Sequence, residues 1–330
     1  LSLDSSHGKR EPKLNLYLKD KQKNILEVGI LSSENSNGEL VKGYIQSNKF
    51  KLDNALIDLI CKSCNFNAEL QTLVNFTFFQ QKVLNFQGNM TLITNENLFG
   101  FNSISSSFQL RNIDEVLIQV STVLNNNAQI KVPNYFINFT DNTPKVIFPQ
   151  LNLSNSKLTE TILEEVGIEL SLGGLLEDLI INLDTSKEIL KANIQDLEIN
   201  HNSMDLVGLV GKLSIYKGKG ELTLSSPFIR ASSSDFLDKD LEFYDFNSLL
   251  NFSFSNKKFE INPSSFNSIL DNEEIEGLLS FLNIPTKGLG DINLRLRSKR
   301  INDKSALSFF PNTAYLSSTK EGICLLYTSD

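Results

Sequence analysis

The sequence predicts a mainly β protein in which antiparallel hairpins follow one another along the chain, with a few short helices covering the sheet. Three observations carry that expectation. Apolar residues recur at every second position through most of the chain, the period of a strand with one buried face. Turn-forming stretches such as Lys217-Gly-Lys-Gly220 separate those runs at hairpin spacing. Helical spacing is confined to three short segments. The chain has 330 residues, 40% of them hydrophobic, enough to bury a sizeable core in one large domain or two ordinary ones.

Taken in order, Leu14, Leu16 and Leu18 alternate with Asn15 and Tyr17 and read as a strand. Ile113, Val116, Leu117, Val120, Val123 and Leu124 share one helical face behind Asp114 and Glu115, acids placed where a helix N-terminus favours them. Residues 112–125 therefore read as a helix. A second helix has Leu158, Ile162, Leu163 and Val166 on one face, Ser156 as its cap and Gly167 as its stop. Leu179, Ile181 and Leu183 then alternate up to a turn at 184–187, and Leu190, Ala192 and Ile194 alternate after it. In MDLVGLVGKLSIYKGKGELTL, from Met204 to Leu224, Leu213 and Ile215 pair with Leu222 and Leu224 around a turn placed at 218–220, where glycine supplies positive φ. Leu250, Phe252 and Phe254 answer Phe259 and Ile261 across 255–258. The third helix runs over 273–282, before Pro285, and Ile292, Leu294 and Leu296 form a last strand.

Charge removes one class of function. A net charge of -8 and a pI near 5.0 oppose nucleic-acid binding, which depends on clustered Lys and Arg. No apolar run approaches the roughly 20 residues of a membrane-spanning helix, and the N-terminus lacks a signal-peptide pattern. Because the chain opens on Leu1, it reads as a fragment, upstream of which an anchor or signal could exist.

Catalytic and metal motifs are sparse. Cys61-Lys-Ser-Cys64 could be half of a metal site or a redox pair, but a zinc site needs four ligands and His7 and His201 lie far off. A local disulfide or two ordinary thiols is the expected state, and no metal or other cofactor is expected. His201, in Asn200-His-Asn-Ser203, reads as an exposed loop histidine, and Glu164-Glu165 and Glu273-Glu274 read as solvated helix faces. The acceptor triplets at Asn75, Asn89, Asn138, Asn152 and Asn251 are products of an Asn- and Ser-rich composition rather than glycosylation sites. The chain is not expected to be an enzyme.

From Gly174 onward a series of short motifs occurs in a fixed order. They are Gly174-Leu-x-x-Asp-Leu179, Ala192-x-Ile-x-Asp-Leu197, Val207-Gly-Leu-x-Gly-x-Leu213, Gly220-x-Leu-x-Leu224 and a Phe309-Phe-Pro311 close. This order resembles the YhdP branch of the AsmA-like bacterial envelope proteins, relatives of TamB, best over residues 130–312. The resemblance implies a long, curled antiparallel sheet forming an open apolar groove, β-taco-like, with residues 1–312 as one segment of it. It implies a place in the periplasm, an inner-membrane anchor outside this chain, and conduction of phospholipids between inner and outer membrane. The groove would be lined by Leu179, Ile181, Leu183, Ala192, Ile194, Leu213, Ile215, Leu222 and Leu224, continued by Phe252, Phe254, Ile261, Ile292 and Leu294. Residues 313–330 depart from the pattern and read as a disordered or non-native tail. Acyl chains suit such a groove, since each methylene taken from water is worth about 0.8 kcal/mol. The alternative is a secreted or cell-surface β-sandwich module for adhesion or interaction, its apolar face sealed by its own side chains.

Overall fold

A computed structural model describes residues 2–8, 11–19, 25–35, 38–52, 68–80, 82–98, 101–125, 129–139, 144–154, 159–160, 171–183, 190–201, 204–233, 239–255, 258–283 and 291–298. Cys61, Cys64, Cys324, the turn at 184–187 and the segment 313–330 lie outside the described residues. The chain divides into two compact units, 1–148 and 149–330.

The first unit is an antiparallel meander of β1 (Ser2–Gly8), β2 (Glu11–Lys19), β3 (Ile25–Asn35), β4 (Gly38–Leu52), β5 (Ala68–Phe79), β6 (Lys82–Leu98), β7 (Phe101–Asn112) and β8 (Leu117–Asn125). Both β9 (Gln129–Lys131) and β10 (Tyr135–Asn138) then pair with β8, and between them the Val132 amide donates to the Thr122 carbonyl at 2.9 Å. They are one strand interrupted at Pro133, which has no N–H to give the ladder. Finally β11 (Lys145–Asn152) pairs with β10. In the second unit β12 (Ser171–Asn182), β13 (Leu190–His201), β14 (Met204–Tyr216), β15 (Lys219–Ser233), β16 (Leu241–Ser255), β17 (Lys258–Leu270), β18 (Glu273–Asn283) and β19 (Asp291–Ser298) pair in succession, all antiparallel. Among the described residues no pairing joins the first strand of either unit to its last, so neither sheet closes.

Two of the expected helices are strands. Over 112–125 the Asn112 side chain accepts from the Asp114 amide at 3.0 Å, Val116 takes φ 44°, and β8 follows with every second residue buried. Ile118, Val120, Thr122 and Val123 are β-branched, and pairing on both sides satisfies the backbone that a helix would satisfy internally. Over 273–282 the chain is β18, turned back on β17 through Asp271 and Asn272 at φ 48° and 68°, the conformation of a two-residue type I′ turn. Of the remaining helix, expected between Ser156 and Gly167, only Thr159 and Glu160 are described, and both are helical. His201 ends β13 and pairs with Met204 rather than standing in a loop.

The meander is punctuated by bulges at which one residue takes positive φ. Asp178 (49°), Asp196 (48°), Gly208 (91°) and Asp245 (50°) fall at register shifts on β12, β13, β14 and β16. Such bulges bend and twist a strand and permit a sheet to curl. Pro227 on β15 faces the Gly208 shift and Pro263 sits at a further one on β17, where the ladder is already interrupted. Backbone groups freed there are taken up by serines. Ser226, only 1% exposed, donates to the Val210 carbonyl at 3.2 Å and accepts from the Val210 amide at 2.8 Å. Ser248 and Ser268 donate to the carbonyls of Ser265 and Tyr244 at 3.0 and 2.8 Å. Elsewhere an aromatic ring closes over a glycine on the facing strand, Tyr44 over Gly29, Phe76 over Gly43 and Phe252 over Gly220, so that an added Cβ would overlap the ring.

Candidate functional site

Residues directly opposite in a ladder share a face, so register alone sorts each strand into two sides. In the second unit Ile181 opposes Leu190, and the row continues through Ile215, Gly220, Phe252, Ile261 and Phe281 to Ile292, crossing from β12 to β19. Beside it runs Ala192, Leu213, Leu222 and Leu250, and beyond that Leu176, Ile194, Gly211, Leu224, Ser248, Phe266 and Gly277. Leu179 stands at the bulge opposite Ala192, Phe254 pairs with Phe259, and Leu294 pairs with Leu279. The residues expected to line a groove therefore fall on one face. Leu183 is the exception, lying past the end of β12 at 57% exposure.

That face is graded in depth. Ala192, Ile194 and Leu224 are buried, whereas Ile181, Leu213, Ile215, Leu222, Phe252 and Ile261 are half-buried. Leu209, Leu224, Ile229 and Leu250 form a packed cluster with Leu197, Phe243, Phe246 and Leu279 around it, and the Phe246 and Phe266 rings stack at 5.2 Å. The sheet thus fills part of its own apolar side and leaves the Ile181 row as its accessible margin. Of the cluster, Leu250 stands on an expected strand, whereas Phe243 lies beyond the bulge at Asp245 and Phe266 beyond that at 262–263, which change the parity facing inward, and Leu279 lies within the segment expected to be a helix.

The first unit has an apolar face of the same kind. Val28, Ile45, Val74, Gly88, Phe108, Val120 and Tyr135 form one row, and Phe50, Leu70, Leu92, Ile104, Leu124 and Ile130 another. Val120 is fully buried. Between the two rows lies a polar one, made of Ser47, Thr72, Met90, Ser106 and Thr122.

The opposite faces are polar. In the first unit the Tyr44 hydroxyl donates to Glu27 at 2.5 Å and Gln46 donates to the second Glu27 oxygen at 2.7 Å. The hydrogen bond to the Glu27 carboxylate, with burial adding to it, pushes the Tyr44 phenol up to about 12. Nearby, a hollow of about 480 Å³ is lined by Asn75, Gln87, Asn89, Gln109, Arg111 and Gln119. In the second unit a groove of about 930 Å³ crosses β15 to β18 between the exposed Leu249 and Leu278, with Asn247, Ser265, Asn267 and Glu276 along it. The acceptor residues Asn75 and Asn89 lie exposed on a polar face within strands. Among the described residues no group of three or more His, Cys, Asp or Glu side chains could hold a metal ion, and no helix is long and apolar enough to cross a membrane.

Compared with family models, with curated proteins and with solved structures, the chain matches none.

Proposed function

We propose that this chain is a segment of a lipid-conducting groove, in which acyl chains of phospholipids run along the apolar face of a curled antiparallel sheet. The observation that carries the reading is the in-register row from Ile181 through Ile215, Phe252 and Ile261, half-buried and continuous across successive strands. An acyl chain laid along such a row escapes water at about 25 cal/mol per Å² of apolar surface covered. Unbroken pairing from β12 to β19 favours an open sheet over a sandwich, which would need two separate packed sheets. In this reading the chain catalyses nothing and stands between two membranes in the periplasm, held by an inner-membrane anchor, as its resemblance to the AsmA-like proteins implies.

The test places a photo-crosslinking residue at position 215 and identifies by mass spectrometry what it captures. Phospholipid is expected at 215 and not at Lys212, which lies on the other face. A companion variant, Ile215→Asp, puts an unpaired carboxylate in the path. Because Ile215 is half-buried rather than enclosed, it should remain folded while losing lipid. Absence of lipid at 215 together with a collapsed melting transition in Ile215→Asp would refute the groove and favour a sealed core.

A further inference from the structure

The row that interrupts the apolar face of the first unit is itself a candidate site. Ser47 donates to the Leu70 carbonyl at 3.0 Å and Thr72 to the Asn89 carbonyl at 3.2 Å, so both have committed their only proton to backbone. The far end of the row differs. Ser106 and Thr122 are joined at 2.8 Å, and Thr122 and the Tyr135 hydroxyl at 3.0 Å. Three hydroxyls carry three protons, and two hydrogen bonds use two of them. One O–H is left to donate outside the chain.

We propose that the Ser106–Thr122–Tyr135 hydroxyl chain recognises the neutral ester carbonyl of an acyl lipid lying across the apolar face of the first unit. The inference rests on the groove reading above and deepens it by naming the part of the lipid that is held. A carbonyl acceptor matches the single spare donor. No Lys or Arg stands in the row, so a phosphate or carboxylate brought there would lose its hydration without compensation. The rows on either side, with the half-buried Phe108 on one and Leu92 and Ile104 on the other, offer apolar surface to the chains that flank an ester. Ser106 and Tyr135 are half-buried and Met90, opposite Ser106, is 39% exposed, so the ends of the hydroxyl chain are reachable although Thr122 between them is buried. A chain of hydroxyls is also polarised cooperatively, which strengthens the terminal donor.

The experiment uses the full 330-residue chain and two fluorescent probes, a tail-labelled diacyl glycerophospholipid and the diether phospholipid of the same chain length, which lacks the carbonyls. The diacyl probe should bind about five-fold more tightly, the worth of one ordinary hydrogen bond. Removing all three hydroxyls together, in a Ser106→Ala, Thr122→Val, Tyr135→Phe chain, should abolish that preference while leaving diether binding unchanged, because loss of any one of them still leaves an O–H to spare. A Ser106→Ala, Tyr135→Phe chain keeps the ring against Phe148 and leaves only the buried Thr122 hydroxyl, so it serves if the triple change perturbs the fold. Equal binding of both probes by the unaltered chain refutes the ester site and leaves the groove standing. Variants that retain the preference also refute it, reducing the hydroxyls to cross-strand packing. Binding of neither probe overturns the site and the groove together.

Discussion

Ser226→Ala is the substitution whose cost the structure defines most closely. The Ser226 hydroxyl is buried and serves both backbone groups of Val210, accepting from the amide at 2.8 Å and donating to the carbonyl at 3.2 Å. In an undistorted ladder a facing residue would supply both bonds, but β14 and β15 lose register between Val207 and Gly211. One hydroxyl stands in for that partner. Alanine leaves the partly buried N–H and C=O of Val210 unpaired, at about 1–3 kcal/mol each if fully enclosed and less where water reaches them, so a total of about 1–3 kcal/mol is expected. Ser225→Ala, next in sequence but exposed, should stay within about 0.5 kcal/mol. Urea unfolding supplies the two values, and hydrogen exchange of the 204–216 segment reports on the Val210 amide directly. A Ser226→Ala chain with an unchanged urea midpoint and an unchanged exchange rate at Val210 would refute the assignment of this serine as a backbone surrogate.

The Tyr44 phenol should ionise near pH 12, as followed by phenolate absorbance. Its raised pKa means that the stability it contributes is complete below the unfolded value of about 10 and is lost as pH rises through about 12. Glu27→Gln should bring that ionisation earlier, and a Tyr44→Phe chain that still shows the late step would contradict the assignment. Gly220→Val should lower the melting temperature and displace Phe252 from the accessible row, weakening lipid capture at position 215, whereas unchanged melting would show that the ring does not depend on the glycine beneath it.

Alternation was readable where hairpins are regular. Leu213 pairs with Leu222 and Phe252 with Ile261 as their spacing predicts, and the turn between β14 and β15 differs only in being centred on Lys217-Gly218 rather than 218–220. The 112–125 segment misled because Val120 and Leu124, four residues apart, share a face in a helix and in a strand alike, and only the partner strands decide between them. Buried serines hid the apolar face elsewhere. Ser226, Ser248 and Ser268 look like surface residues in sequence, yet their hydroxyls are consumed by backbone at bulges that no local pattern announces. The polar row at Ser47, Thr72, Ser106 and Thr122 broke the alternation that would have marked the first unit's apolar side, so the site there became visible only through register.

Strand-to-next-strand pairing within each unit makes the sheet modular. From β12 to β19 every described ladder joins chain neighbours, so inserting or deleting one hairpin leaves the ladders beyond it intact, and each added pair of strands lengthens the array by roughly 10 Å. Because a partner for each strand arrives with the next few residues, loop-closure cost stays small and ordering can advance from one end while the remainder of the chain is still emerging from the ribosome. Span thus becomes a quantity that evolution or design can set by counting hairpins, without re-solving the packing of a shared core.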